Sequence, residues 1–406
     1  MTDIQQVLAR LSGALVLGAF AMMPPAVAAQ APRRLELSDT TKNAPRAEAP
    51  RLPPAPHAAI DSEHPYGPIS PLRPVAAPRS GEAVVRESFI RDQTALGILA
   101  YAPSFATAVT RDHVAWGATY LVVGTGTYFA AAELSRDLAI NGPTSWFATQ
   151  AAVRGGLSGW ALAATSTRQR RAGAVFLGSL AGTVSAVALG RGMSDGEVAA
   201  SVFGADLTAL VGLAATHLAS ASASGGTRAG IAAATGLVGY PLGYWYASRA
   251  SYHVSAGDVN TLWTSAAIGA TAAVTFVANG HPPAPVVATT LAAGLLAGTF
   301  LGDRFLVRPY DHAPEDGQFV ALGAVSGGLV GAGAGFLAGP PRQRVNARTA
   351  ALSAVGAMGG VLLAEHWRAP HGDAGRKLSR LELDPVGVIG VVSGANGTHT
   401  LLHWTF

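Results

Sequence analysis

Between about residue 90 and residue 367, Ala, Gly, Val and Leu fill runs of roughly 18–24 residues separated by short charged turns. Four of the runs open alike, at Asn141-Gly142-Pro143, Ser194-Asp195-Gly196-Glu197, Ser255-Ala256-Gly257-Asp258 and Glu315-Asp316-Gly317-Gln318. The glycines step by 54, 61 and 60 positions (142, 196, 257, 317). Each opening places a capping residue, often with a carboxylate, where a helix start leaves free N–H groups and a positive dipole end. After it come an apolar helix, a turn, and a second Gly-rich helix that closes near Arg191, Arg249, Arg308 or Arg368. The pattern predicts a helical hairpin of about 60 residues, repeated along the chain.

Ten helices are expected, at 91–110, 113–134, 143–166, 172–190, 197–220, 229–248, 258–278, 284–307, 318–339 and 349–367. Several carry glycines four residues apart, which places them on one helix face. These are Gly178 and Gly182; Gly239 and Gly243; Gly294, Gly298 and Gly302; and Gly323, Gly327, Gly331 and Gly335. A face without side chains lets two backbones approach closely, as small-xxx-small faces do in membranes. In water each interior Gly costs about 1 kcal/mol of helix stability against Ala. In lipid an unfolded backbone has nowhere to bond, so the helix persists despite that cost. At these residues the chain resembles glycine-zipper proteins of bacterial envelopes. That resemblance is compositional and implies no known activity.

The ends of the chain differ from its middle. Arg10, the apolar run Leu11–Met23 and Ala26-Val27-Ala28-Ala29 form a secretory signal pattern with cleavage after Ala28 or Ala29. Residues 30–88 hold eleven prolines and few apolar clusters, which predicts an extended disordered tether. The helical repeat domain is placed at 89–368. From 369 to 406 a linker and a small β-hairpin are expected, with Asn396-Gly397 as a type I′ turn. The last residues, Leu402, Trp404 and Phe406, share one strand face and resemble the closing strand of outer-membrane barrels. One hairpin cannot close such a barrel, so the hairpin either seals the helical array or serves as an assembly signal.

Charge and chemistry narrow the function. Charged residues make up 13% of the chain, about half the usual share. Of 28 basic residues, 26 are Arg, since only Lys42 and Lys377 are Lys. They are scattered at the ends of apolar runs and form no nucleic-acid face. With ten crossings after an exported N-terminus, one set of turns holds eight Arg (111, 168, 170, 171, 228, 342, 344, 348). The opposite set, up to residue 317, holds five (136, 191, 249, 304, 308), a modest positive-inside bias, and the last turn, with Arg368, Arg376, Lys377 and Arg380, runs against it. There is no Cys, no Walker phosphate loop, no HExxH and no GxSxG elbow. No catalytic residue, metal site or cofactor is assigned, and an enzyme is not expected.

Arg154 and Asp206 stand out, because each falls mid-helix at similar depth in adjacent repeats. Lone charges at such depth pair or line a wet pathway, so the two are expected to form a buried ion pair. The sequence thus describes an exported envelope protein with a structural or scaffold role. Its partners are the lipid bilayer and possibly further copies of itself. The inner membrane is favoured, with the outer membrane or periplasm open. Two other readings remain: a channel or transporter that uses the Arg154–Asp206 pair, and a soluble periplasmic helical-repeat binding module.

Overall fold

The computed structural model describes residues 81–368, apart from 139, 220–222, 281 and 338–346, together with two short strands near the C-terminus. The signal segment, the tether up to residue 80 and the 369–380 linker lie outside the described residues.

Ten helices are present among the described residues. α1 runs over Gly81–Leu96, continues through a π-helical turn at Gly97–Tyr101 and ends with Ala102–Val109. There follow α2 (His113–Asp137), α3 (Gly142–Leu162), α4 (Arg168–Gly190), α5 (Asp195–Ala219) and α6 (Gly225–Arg249). α7 is Ala256–Val274 and α8 is Ala284–Gly302, extended by a second π turn at Asp303–Val307. α9 (Pro314–Leu337) and α10 (Ala347–Arg368) complete the set. α1 begins ten residues ahead of the expected start, inside the stretch read as tether. Phe89, Gln93 and Leu96 recur at helical spacing and are buried, which draws the segment onto the array.

The starts of the repeat units are capped. Asn141 Oδ1 accepts from Thr144 N at 2.8 Å. Ser194 and Glu197 exchange side-chain and backbone bonds, and Ser255 and Asp258 do the same as a full capping box. Ala313 N donates to Asp316 Oδ2 at 3.1 Å.

Consecutive helices pair as five hairpins, α1·α2, α3·α4, α5·α6, α7·α8 and α9·α10. The hairpins stack by one rule. α1 packs on α3 and α4, α3 on α5 and α6, α5 on α7 and α8, and α7 on α9 and α10. The odd-numbered helices form the inner row. α5 and α7 are buried along most of their length.

Inside the hairpins, glycine sets the spacing. A Cβ at Gly178 or Gly182 would fall within 3.0 Å of the backbone of α3, and one at Gly155 or Gly159 would strike α4. Gly239 and Gly243 press on Gly204 and Ala200 of α5. Gly294 and Gly298 press on Gly269 and Ser265 of α7, while Gly302 meets the Ser265 side chain. In the last hairpin, Gly323, Gly327, Gly331 and Gly335 face Gly360, Gly356, Leu352 and Thr349. Three of the four recurrent glycines at the helix starts act between hairpins, while Gly142 has nothing within 4 Å of its Cβ position. Gly196 lies on the Val254 carbonyl, Gly257 on the carbonyls of His312 and Ala313, and Gly317 on Gly257.

The resulting core is rich in small side chains, with Phe89, Phe147, Phe203 and Leu262 buried among them. Among the described residues, Ala102, Ala106, Ala148, Ala200, Ala266 and Thr261 are fully enclosed. Many other large apolar side chains point outward, including Leu99, Val122, Phe129, Leu177, Phe300 and Val355. Soluble domains have the opposite distribution.

Five helices are long and apolar enough to cross a membrane: α4, α5, α8 with its π extension, α9 and α10. Ten crossings were expected. In α3 the apolar run is interrupted by Gln150 and Arg154, and in the 19-residue α7 by Asp258 and Asn260.

The C-terminal hairpin is not supported. Two three-residue strands, Leu381–Leu383 and Leu402–Trp404, pair antiparallel with Leu381 opposite Trp404. Asn396 and Gly397 themselves lie outside the described residues.

Candidate functional site

Three polar clusters interrupt the apolar array. The first joins adjacent hairpins at mid-depth. Arg154 Nε donates to Asp206 Oδ1 at 2.7 Å and its second nitrogen to Asp206 Oδ2 at 2.5 Å. The geometry is bidentate, the strongest arrangement open to this pair. Arg154 also donates to Gln150 Oε1 at 2.6 Å. The two side chains are 12% and 13% exposed. The pair therefore ties α3 to α5 through a nearly closed contact. Local helix geometry puts Gln150 one turn before Arg154, where it engages a further guanidinium nitrogen.

The second and third clusters were not read from the sequence. Both lie at the end of the array where odd helices begin and even helices finish, and both follow one plan. In the second, Asp303 opens the π turn at the end of α8. Its Oδ1 accepts from the hydroxyls of Tyr246 at 2.7 Å and Tyr252 at 2.5 Å. Its Oδ2 accepts from Arg308 Nε at 2.8 Å. Burial first, and the bond to Asp303 next, push the Tyr252 phenol above its ordinary range, so it stays a neutral donor.

In the third, Glu365 occupies the matching last turn of α10. His312, from the loop between α8 and α9, takes the place that Tyr252 holds in the loop before α7. His312 Nδ1 lies 2.9 Å from Asp258 Oδ1, and its Nε2 lies 2.6 Å from Glu365 Oε1. Arg368 Nε donates to Glu365 Oε2 at 3.1 Å, and Arg368 also pairs with Asp316 at 3.4 Å. The His312 side chain is fully buried. Ser255 Oγ donates to the His312 carbonyl, and the His312 amide donates to Asp258 Oδ1 at 3.2 Å. One imidazole thus bridges the start of α7 and the end of α10, which belong to adjacent hairpins.

Burial alone would lower the His312 pKa. The bonds to Asp258 and Glu365 outweigh it and raise the value to about 9, against the opposing charge of Arg368. The folded value exceeds the ordinary imidazole value of about 6.5. The latch therefore contributes fully below about pH 6.5, and its contribution fades as pH rises through 9. Thermal unfolding between pH 6 and pH 10 should show the fourth and fifth hairpins weakening toward the alkaline end. His312→Gln should be less stable at pH 6 and lose that slope. An unchanged slope would exclude His312 as its source.

A groove of about 910 Å³ runs between α7, α8 and α10, lined by Ile268, Gly294, Gly298, Phe305, Leu362 and other small or apolar residues, with Tyr310 and Glu365 at one end. It is open and apolar, and Glu365 is already committed to His312 and Arg368. Among the described residues, no group of three or more His, Cys, Asp or Glu is arranged to hold a metal ion. What the clusters can do chemically is fasten helices: Asp206, Asp303, Asp258 and Glu365 are each hydrogen-bonded to a side chain from another element.

Comparison of the chain with known protein families, curated proteins and solved structures finds no match.

Proposed function

We propose that this chain is a structural or scaffold protein embedded in the bacterial cell envelope, with the inner membrane as its favoured site. The observation that carries this is the inverted distribution of side chains. Ala and Gly make most of the close helix contacts, with a few large side chains such as Phe147, Phe203 and Leu262 buried among them, while many Leu, Phe and Val side chains cover the outside. An apolar exterior of this extent marks a lipid or partner surface. Tight backbone contact through glycine is how helices associate where no hydrophobic drive acts between them. Five spanning-length helices fit the same setting. A signal peptide at residues 1–29 and the Pro-rich segment behind it would deliver and tether the array.

The polar clusters support a structural role over catalysis or transport. A transport path needs a chain of groups that can exchange ions or protons. Arg154 and Asp206 are instead closed on each other and on Gln150. The channel reading keeps one specific observation, the mid-depth position of that pair. Flux that vanished in Arg154→Gln and Asp206→Asn variants of intact assembly would favour it.

Envelope fractionation tests the main proposal. The full chain should stay in the membrane pellet through carbonate and urea extraction, and should separate with the inner membrane. Release as a stable soluble monomer would overturn it.

A further inference from the structure

The stacking rule of the array leaves one face unused at each end. α1, α3, α5 and α7 each bury a face on both helices of the following hairpin. α9 presents the equivalent face with no sixth hairpin among the described residues to cover it. Phe319, Leu322, Val330 and Leu337 are exposed there, Leu337 at 87%. They recur at three-, seven- and eight-residue intervals, which makes one stripe along the helix. Gly333 lies on the same stripe, with nothing within 4 Å of where a Cβ would stand.

The other end is complementary. Among the described residues, α2 is the one even-numbered helix with no preceding hairpin, and it exposes Leu121, Val122 and Phe129. Gly126 on this face also has open space around it. From α3 to α8, every glycine beyond the first helical residue touches a neighbouring helix or turn. Mid-helix glycines with open space occur only on α2, α9 and α10. The unused packing positions are therefore confined to the terminal hairpins.

We propose that the α9 face binds the first hairpin of a second copy of this chain. Copies then stack head to tail, and the hairpin–hairpin interface inside each chain continues into the next. The inference rests on the structural reading above and gives that reading its partner. Odd helices all begin at the same end of the array, so an added copy keeps the same orientation across a membrane. The contact joins two different faces, which generates a ring or a filament. Close approach through Gly333 and Gly126 would supply the packing.

The chain has no Cys, so introduced cysteines report contacts directly. Leu322 on α9 and Phe129 on α2 stand at matching depth, about eight residues from the same end of the array. Phe129→Cys and Leu322→Cys are made singly and together in the full-length chain, and native envelope vesicles are oxidised mildly. The double variant should give a ladder of disulfide-linked dimers, trimers and higher species, while each single variant stays monomeric. Adding Gly333→Leu should erase the ladder while the monomer's unfolding temperature holds. Dimers from Leu322→Cys alone would mean a back-to-back contact and overturn the proposal. A double variant that stays monomeric would also overturn it. So would a ladder that appears only after residues 369–406 are deleted, because the chain's own C-terminal segment would then cover α9. A chain that stays in the membrane without a ladder rejects stacking alone. A ladder formed by a chain that carbonate releases rejects the membrane reading and leaves stacking standing.

Discussion

Gly243→Val is expected to stop the α5–α6 hairpin from closing. A side chain at Gly243 would run into the Ala200 carbonyl and the Ser201 backbone. A flexible side chain could move aside, but a helix backbone cannot. The two helices would have to separate and would lose contact at Gly204, Gly236 and Gly239 as well. Ordinary overpacking costs about 1–3 kcal/mol; here an entire interface shifts, and a loss of at least ~3 kcal/mol is expected. Against a total stability of about 5–15 kcal/mol, that is enough to expose the hairpin to protease. Gly359→Ala is the matched control, since nothing lies within 4 Å of its Cβ position. It should gain roughly 0.5–1 kcal/mol of helix stability. Thermal unfolding in detergent and limited proteolysis would read both variants. Equal stability of Gly243→Val and the parent chain would mean that these helices do not meet through glycine.

Asp206→Ala should be the most damaging change to a polar residue. It leaves Arg154, whose side chain is 12% exposed in the intact pair, without its bidentate partner. Removing one member of a buried pair costs about 3–5 kcal/mol, because the remaining charge is stranded. The double variant Arg154→Met/Asp206→Leu removes both charges and should recover most of the loss. A double-mutant cycle on unfolding free energy measures the coupling directly. If Asp206→Ala is no worse than the double variant, the pair is solvated and contributes little to the join between α3 and α5.

Helix count and helix faces were legible because they depend on local periodicity. Runs of apolar residues broken by charged turns marked ten helices, and four-residue spacing marked the glycine faces. Among contacts between residues far apart, the Arg154–Asp206 pair was legible, because lone charges in the middle of apolar helices must find a partner; the other long-range clusters were not. Asp258, His312 and Glu365 are separated by more than fifty positions at each step, and no local pattern joins them. A weak signal existed: Arg249 and Arg308 are each followed by a Tyr and then a His within four residues. The acids Asp303 and Glu365 also stand shortly before Arg308 and Arg368. Aligning those segments would have suggested a repeated clamp, but not that Tyr252 serves in one copy and His312 in the other. The early start of α1 was missed for a different reason. Residues 81–88 carry Glu82, Arg86 and Glu87, and only the spacing of Phe89, Gln93 and Leu96 shows the buried face.

Both large-effect variants concern the interior, whereas a membrane role depends on what touches the exterior. Single cysteines at Leu177, Phe300 and Val355, all more than 60% exposed, can carry nitroxide labels in native vesicles. Gly192, in the turn after α4, serves as the aqueous reference. Labels on the three helix positions should be relaxed strongly by oxygen and weakly by a water-soluble nickel chelate, with the order reversed at Gly192. Equal access of the nickel chelate to all four positions would place the apolar surface in water and contradict a membrane-embedded array.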